Sequence, residues 1–494
     1  MMGKTYEEKL MSKQEPQSVR KLDVPQENSL ALQHHASDDE KIPENASDVE
    51  ELPRQLNGMD LTVHSALVDP IFQDLTPNSR YYLYHFVTQI CQDIVIYDGP
   101  GHNPFRDLVP ATAAYPTLLH IILAGSAHHV FNISRDPITQ SSYQPEKRPC
   151  LVAYYQSVSR FGGPMKTSYA DALLAKQQAL SLMARSVASV NPTNIDIVLA
   201  AILMFINYDL IESGRDKWRV HIEGARKLIE LLDTPPYVQR PMSKLRLAVL
   251  ADFLVFFVIG STFTFSTIRA LIPHSFDLDP ILQYAETNNY LSCPGPLLRI
   301  MVESFRLDDT RESLSDEIAV EVQEQIGMLL KAAMNFDPVA WAFNFEPASP
   351  FESLDHRMHI ASAHRAAVCI YLARALPYSN PLIDPTSGSA LVSLTGLADE
   401  ILLHVAYFKP GDTLYKSISW PLFLAGAECD DPTSRAWIMD KLDEFYHLLY
   451  WGYVHTAKKI LEVIWSCKDK VAEGDNMSCW IDDVKELGYE ILIA

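Results

Sequence analysis

The chain has 494 residues, of which 48% are hydrophobic and 21% are charged, so it is long enough to bury a large core. Its formal net charge is −21, from 41 basic and 62 acidic residues, which disfavours autonomous binding of nucleic acid because affinity for phosphates rests on Lys and Arg. Its seven cysteines are widely scattered, which does not fit a disulfide framework and is typical of a reducing compartment.

Residues 1–57 differ from the rest of the chain: they are rich in Glu, Asp, Ser, Gln and Pro and nearly lack aromatic side chains. Such a segment cannot bury enough apolar area to offset the entropy of ordering, so we predict a disordered acidic tail. Bulky hydrophobic residues are too sparse in it to favour an activation segment over a solvated linker. The first residues also lack the apolar run of a signal peptide, so we expect no secretion.

Helical periodicity dominates from Tyr81 onward, and no run of alternating apolar and polar residues predicts a strand. We therefore predict an all-α fold, with a single large helical domain over residues 78–494. One face of an early helix is marked by Leu173, Leu180, Ala184 and Val187.

A helical hairpin is predicted between Val198 and Glu230. Its first helix is apolar on almost every face and must be buried, and Ser213-Gly214 ends it because glycine adopts the left-handed conformation of a helix stop. The second helix carries one apolar stripe, which consists of Trp218, Ile222, Ala225, Ile229 and Leu232. Gly224 lies beside this stripe and predicts a close approach of another backbone.

The segment from Leu247 to Ile268 is long enough to span a bilayer and contains one charged residue, Asp252. A charge inside a membrane is unfavourable, and the second half of the segment is rich in Ser and Thr. We interpret the segment as a buried core helix.

An acidic cluster, Asp308-Asp309-Thr310-Arg311-Glu312, matches the Asp-Asp-x-x-Asp/Glu pattern by which terpene synthases hold magnesium to a diphosphate. The second half of such a site is missing from the sequence. The surrounding residues look like one helix end, a polar turn and a new helix near Asp316, so we interpret the cluster as a solvated turn. A magnesium-dependent, all-helical enzyme of this kind remains an alternative function.

Asp355, His356, His359 and His364 lie on one predicted helix, where His356 and His359 share a face. No second pair of ligands stands nearby in sequence, so we interpret them as structural histidines and assign no metal site.

The C-terminal part contains a further helix that begins at Asp431-Pro432, where a capping carboxylate precedes a proline in the first turn, and ends at Gly452. Its stripe is Ile438, Leu442, Phe445 and Leu449. Other helical patterns cover residues 241–265, 314–334, 351–376, 388–407, 454–468 and 478–491.

The hairpin resembles the most recognisable segment of the fungal-specific transcription factor domain, the regulatory region that follows the DNA-binding part of fungal zinc-cluster regulators. Four further segments are similar to that family in the same order, so the resemblance covers residues 78–494: Asn103–Val130, Ala172–Met183, Val368–Leu376 and Trp420–Phe445. The resemblance implies a transcription regulator in the nucleus, not an enzyme, that works with the transcription machinery or with DNA-binding partner proteins. A protein-interaction scaffold that inherited this domain is a further alternative.

The family's usual DNA-binding unit is a six-cysteine cluster that holds two zinc ions through short Cys-x2-Cys spacings. No cysteine precedes Cys91 here, and no short spacing occurs. Direct DNA binding is therefore not expected of this chain; either the protein acts through partners or an upstream zinc-cluster exon is missing from the sequence.

Some members of the family sense small apolar effectors within this domain, and a set of phenylalanines is a candidate lining for such a pocket, although aromatic clusters are usually core. We assign no catalytic, cofactor or metal residues. The candidate set is Phe253, Phe256, Phe257, Phe263 and Phe265.

Overall fold

The computed structural model describes residues 74–99, 101–135, 167–215, 217–263, 271–273, 276–308, 316–347, 352–384, 390–471, 479–485 and 490–494, with single residues between some of them. The chain divides into two units, residues 1–66 and 67–494, and the described residues belong to the second. The predicted tail over residues 1–57 lies outside them.

The all-α prediction is confirmed for the described part of the chain, which contains helices and two isolated β-bridges, Val95 to Asn289 and Arg215 to Ile491. Short 3₁₀ helices cover Val109–Ala113 and Thr413–Ile418. The α-helices that we number are α1 (Pro77–His85), α2 (Pro116–Ser134), α3 (Ser168–Ala188), α4 (Ile195–Glu212), α5 (Trp218–Leu232), α6 (Lys244–Ser261), α7 (Asp279–Asn288), α8 (Gly295–Asp308), α9 (Asp316–Asn335), α10 (Pro338–Asn344), α11 (Leu354–Arg374), α12 (Leu394–Val405), α13 (Ser419–Glu428), α14 (Pro432–Leu449), α15 (Tyr453–Val471) and α16 (Trp480–Lys485).

The predicted hairpin is confirmed as α4 and α5, which the core surrounds. Almost every residue of α4 from Val198 to Ile211 is buried, as its apolar sequence requires. The whole predicted stripe of α5 is buried as well, while Val220 on its other side is 70% exposed. Gly214 follows the end of α4 with φ of +68°, the left-handed conformation that a side chain would disfavour.

The prediction for Gly224 was wrong. A Cβ added there would meet no other element within 4 Å, so no backbone approaches it. The close approach occurs at the hairpin turn, where a Cβ on Gly214 would lie 2.8 Å from Tyr453 Cβ, and one on Gly452 would lie 2.8 Å from Ile211 O.

Helix α3 packs along α2 through a face that its periodicity did not mark. Apart from Lys176, the buried residues of α3 are small, which lets the two helices lie close together: Ser168, Ala172, Ala175 and Ala179. The face marked by Leu173, Leu180 and Val187 is instead exposed.

Helix α6 is buried in the core, as predicted, over the part of the segment from Leu247 to Ser261. Residues 264–268 of that segment lie outside the described residues. Its Asp252 accepts a hydrogen bond of 2.7 Å from Asn289 Nδ2, which provides a polar partner for this buried carboxyl. Among the described residues, no helix is long and apolar enough to cross a membrane.

At the C-terminal side, the Asp431 side chain accepts a hydrogen bond from Ser434 N at 2.7 Å, and the predicted stripe of α14 is buried. The predicted end at Gly452 was wrong: α14 ends at Leu449, and Tyr450 takes the left-handed conformation with φ of 57°. Helix α16 is shorter than the pattern over residues 478–491.

Candidate functional site

The hairpin turn is held from three sides by hydrogen bonds to its backbone carbonyls. Asn132 Nδ2 of α2 donates to Ile211 O at 2.9 Å and also to Tyr450 O at 2.9 Å. Gly452 N donates to the same Ile211 oxygen at 2.9 Å, and Thr456 Oγ1 of α15 donates to Ser213 O at 2.7 Å. The end of α4, which would otherwise expose unpaired carbonyls, is thereby tied to α2 and to the turn between α14 and α15.

A cleft of about 830 Å³ opens beside this junction. Four basic residues and three acidic residues line it together with three histidines, while the large aromatic rings in the lining are Phe131 and Tyr446. The lining is therefore mainly polar. Basic residues outnumber acidic residues in it, whereas acidic residues outnumber basic ones in the whole chain, which has a net charge of −21. The lining residues are His128, Phe131, Asn132, Arg135, Glu212, Ser213, Arg215, Asp443, Tyr446, His447, Gly452, His455, Thr456, Lys458, Lys459 and Glu462.

A buried charge network lies behind the cleft and shares Glu212 with it. Lys176 Nζ of α3 lies 2.9 Å from Glu212 Oε2 and 3.5 Å from Asp209 Oδ1, and 3.9 Å from the centre of the Tyr208 ring. The Tyr208 hydroxyl donates to Glu212 Oε1 at 3.1 Å, and His128 Nδ1 lies 3.3 Å from the same hydroxyl oxygen. The network thus connects α3 to α4 through Lys176, and α4 to α2 through Tyr208 and His128.

Burial sets the charges of this network. It raises the pKa of the Asp209 carboxyl to about 7, although the Lys176 ammonium acts in the opposite direction. Burial also opposes ionisation of Glu212, but the Lys176 ammonium outweighs it and holds the pKa of Glu212 below its usual value. Glu212 is therefore the carboxylate that pairs with Lys176, while Asp209 ionises near neutral pH.

Two histidines complete the network in their neutral form. Burial lowers the pKa of His128 to about 4, although Glu212 opposes the shift. Burial and then Lys176 lower the pKa of His221 to about 4; its ring stacks on Phe205 with centroids 5.0 Å apart. A charged group that entered the cleft would act on Glu212 and His128 directly and on Asp209 through Lys176.

The histidines of α11 that were predicted as structural residues do not line this cleft. His359 Nδ1 lies 2.8 Å from His404 Nδ1 of α12, and His356 packs on Phe408 with ring centroids 5.3 Å apart. His364 is buried, with Nδ1 2.9 Å from Ile360 O. Over the described ranges, no group of three or more His, Cys, Asp or Glu side chains is arranged to hold a metal ion.

The candidate phenylalanines are buried and pack against other rings. Phe257 contacts Phe305 with centroids 5.8 Å apart, and Phe263 contacts Phe423 with centroids 5.4 Å apart. Phe253 and Phe256 are also in the core, and none of these four lines the cleft, while Phe265 lies outside the described residues.

Of the acidic cluster, the residues from Asp309 to Glu312 lie outside the described residues. Asp308 is the last described residue of α8, and α9 begins at Asp316, so the solvated turn stays a prediction.

The residues of the cleft and its network were missed as a site by the sequence patterns. The available signal was polarity inside an otherwise apolar helix: Tyr208, Asp209 and Glu212 end the buried helix α4. Polar groups in such a position require partners, and Lys176 supplies one from a different helix.

Comparison with known proteins identifies the family. The family model of the fungal-specific transcription factor domain matches residues 81–494. The acriflavine sensitivity control protein acr-2 of Neurospora crassa is 30% identical over 487 residues, which cover 96% of this chain and 75% of that protein. The phomenoic acid biosynthesis cluster-specific transcriptional regulator of Leptosphaeria maculans is 24% identical over 285 residues, 56% of this chain and 52% of that protein. No solved structure gives a significant match.

The family match includes the hairpin, the junction that holds its turn and every residue of the cleft. The chain therefore belongs to the fungal-specific transcription factor domain family and is a transcription regulator.

Proposed function

We propose that this chain acts in the nucleus, that residues 78–494 form its regulatory domain, and that a small molecule in the cleft controls it. The position of the cleft carries this proposal, since its walls are the ends of α2, α4, α14 and α15. A molecule bound there contacts the hairpin and the C-terminal helices together. Binding would therefore stabilise one arrangement of these elements over another, which is the requirement for control by a ligand.

The chemistry of the lining favours a polar effector with an anionic group over the apolar effector expected from the sequence. Arg135, Arg215, Lys458 and Lys459 supply cationic donors, and Phe131 and Tyr446 supply ring faces. Lys458 is already paired with Asp443, and the Arg135 guanidinium lies 5.3 Å from the Phe131 ring centre. Arg135 and Lys459, both exposed, are therefore the side chains that we assign to the effector's anionic group.

Thermal unfolding of the full chain with citrate, and separately with inorganic phosphate, tests the cleft. We expect citrate to raise the melting temperature by about 2 °C or more. The rise should be lost in Arg135→Ala/Lys459→Ala and kept in Lys227→Ala/Lys331→Ala, which removes two exposed positive charges elsewhere. Equal rises in all three proteins would reject the cleft as an anion site.

We further propose that the helical domain does not read DNA by itself and reaches its target genes through DNA-binding partners. The net charge of −21 supports this, because non-specific affinity depends on neutralising phosphates with basic residues. The seven cysteines also lack the short spacings of a zinc cluster. Metal analysis showing about two zinc ions per chain, or a footprint on DNA at physiological salt, would contradict this part of the proposal.

The enzyme alternative has its own assay. We expect no release of diphosphate when the purified chain is incubated with prenyl diphosphates and magnesium. Release that disappears in Asp308→Ala/Asp309→Ala would reverse the proposal and make the acidic cluster a catalytic site.

A further inference from the structure

Residues 238–244 form an exposed segment that ends at the first residue of α6. Within the described part of the chain every residue of this segment is exposed, with Val238 at 53% and Met242 at 45%. Residues 241–243 have no regular secondary structure. Such a segment can enter the binding cleft of another protein, because its backbone is not already part of a helix or a sheet.

The segment carries a charge pattern that occurs once in the chain. Arg240 lies three residues before Ser243, and no other serine or threonine of the sequence has an arginine at that distance before it. Lys244 follows the serine directly. Protein kinases select their substrates by charge pattern, and an arginine-directed kinase binds this guanidinium through carboxylates of its own cleft. Ser243 therefore combines an exposed position with the charge pattern of a phosphoryl acceptor.

We propose that Ser243 is a phosphorylation site for an arginine-directed serine kinase. In the transfer, Ser243 Oγ forms a bond to the γ-phosphorus of ATP, and the bond from that phosphorus to the oxygen that bridges to the β-phosphate breaks. ADP leaves with the electron pair of that bond, and the hydroxyl proton passes to a carboxylate of the kinase. The product is a phosphoserine with about two negative charges at neutral pH, in place of a neutral hydroxyl.

The contacts of Ser243 define what the added phosphate meets. Ser243 Oγ accepts a hydrogen bond of 3.0 Å from Arg246 N, which caps α6. It also donates to Asp196 Oδ2 at 3.1 Å. Arg246 Nε donates to the other oxygen of the same carboxylate, Asp196 Oδ1, at 2.7 Å, and the Arg246 side chain is buried. These three side chains join the start of α4 to the start of α6.

Phosphate on Ser243 changes the partner of Arg246. The phosphate repels the Asp196 carboxylate, whereas it attracts the guanidinium and can form paired hydrogen bonds with it. Arg240 and Lys244, both exposed, add two positive charges within three residues of the phosphate in sequence. The phosphate thus takes Arg246 from Asp196 and loosens the link between α4 and α6. It acts on the hairpin at the end of α4 opposite to the cleft, so this site does not depend on a ligand in the cleft.

Incubation of the full chain with ATP and calmodulin-dependent protein kinase II, which selects arginine at this distance, tests the site. We expect about one phosphate per chain, located at Ser243 by mass spectrometry of the digested protein. Arg240→Ala should slow the labelling by about tenfold or more, because the kinase carboxylates lose their partner. Lys227→Ala, which removes an exposed positive charge elsewhere, should be labelled at the native rate.

Ser243→Asn separates the phosphoryl acceptor from the helix cap. Asparagine caps a helix as serine does but has no hydroxyl, so the variant should fold like the native chain and remain unlabelled. The matched control is Ser189→Asn, at an exposed serine whose nearest preceding arginine is four residues away, and it should be labelled like the native chain. A native chain that takes up no phosphate would overturn the proposal, as would equal labelling of the native chain and Ser243→Asn.

Melting temperatures test the exchange of partners at Arg246. Phosphorylation should change the melting temperature of Asp196→Asn more favourably than that of the native chain, by about 2 °C or more, because the variant lacks the carboxylate that opposes the phosphate. Each protein is compared with its own unphosphorylated form, so the cost of the substitution itself cancels. Equal changes in the two proteins would show that the phosphate does not meet Asp196 and would reject the exchange.

Discussion

Individual residues at the hairpin turn decide how closely two backbones approach, and Gly452 is the clearest case. A Cβ there would lie 2.8 Å from Ile211 O and also overlap Glu212 O. We expect Gly452→Ala to lower the free energy of unfolding by roughly 1–3 kcal/mol, because the Ile211 carbonyl cannot move without breaking its hydrogen bonds from Asn132 and Gly452. Chemical denaturation measures the change.

The matched variant for this prediction is Gly224→Ala. The added methyl meets nothing within 4 Å inside helix α5, so it should raise the free energy of unfolding by about 0.5–1 kcal/mol through helix propensity. Equal effects of the two substitutions would show that the turn is not closely packed.

Asp252 gives a pH-dependent prediction. Burial raises the pKa of this carboxyl to about 7, even though the hydrogen bond from Asn289 Nδ2 favours the charged form. Its ordinary pKa is about 3.9, so the folded state binds the proton more tightly, and this group's contribution to stability falls as pH rises from about 4 to about 7.

Asp252→Asn removes that titration. As pH rises from 5 to 8, we expect the melting temperature of the variant to rise relative to that of the native chain, by an amount equivalent to at most about 3 kcal/mol. Parallel curves of melting temperature against pH for the two proteins would contradict a raised pKa at this position.

At the residue scale, the sequence did not predict which polar groups meet. Lys176 and Glu212 belong to different helices and form an ion pair only because α3 and α4 both pack on α2. A pattern of residues within one helix contains no information about such a partner. The polar end of α4 indicated that partners must exist but did not identify them.

At the scale of elements, the hairpin is the part of the domain that tolerates least change. Phe205 lies at the centre of α4 with no exposed surface, and its ring stacks on His221. Phe205→Asp would bury an unpaired charge, so we expect it to lower the free energy of unfolding by several kcal/mol, roughly 3–5.

The control for that substitution is Val220→Asp on α5, whose side chain is 70% exposed. It should change the free energy of unfolding by no more than about 0.5 kcal/mol. If Phe205→Asp melted together with Val220→Asp, the hairpin would not be central to the core.

Helices with one apolar stripe were predictable, and α3 shows where the same reasoning failed. In α5 most of the large apolar residues are buried, with Val220 and Leu231 as exceptions, so periodicity identified the buried face. In α3 the buried face is built from Ala172, Ala175 and Ala179. Periodicity gives weight to large side chains, so it marked the face around Leu180, which is exposed.

For the whole molecule, the fold class followed from helical periodicity, but the cleft did not. Its walls come from segments far apart in the chain: Asn132 bonds to Tyr450, and Thr456 bonds to Ser213. Their assembly depends on the packing of all the helices between them. The sequence therefore predicted the elements and the family, while the cleft could be located only from the structure.

This domain belongs to a transcription regulator, and we propose that its cleft controls the regulation. In the most direct test, the full chain is fused to an unrelated DNA-binding module and expressed in a fungal cell. Transcripts are then counted from a reporter gene that carries the DNA site bound by that module.

We expect the joined chain to change transcript number severalfold relative to the module alone, and Arg135→Ala/Lys459→Ala to alter that change at equal protein level and melting temperature. Lys227→Ala/Lys331→Ala should behave like the native chain. Transcript numbers equal to those of the module alone would contradict the claim, and identical numbers for the native chain and the cleft variant would remove the cleft from it.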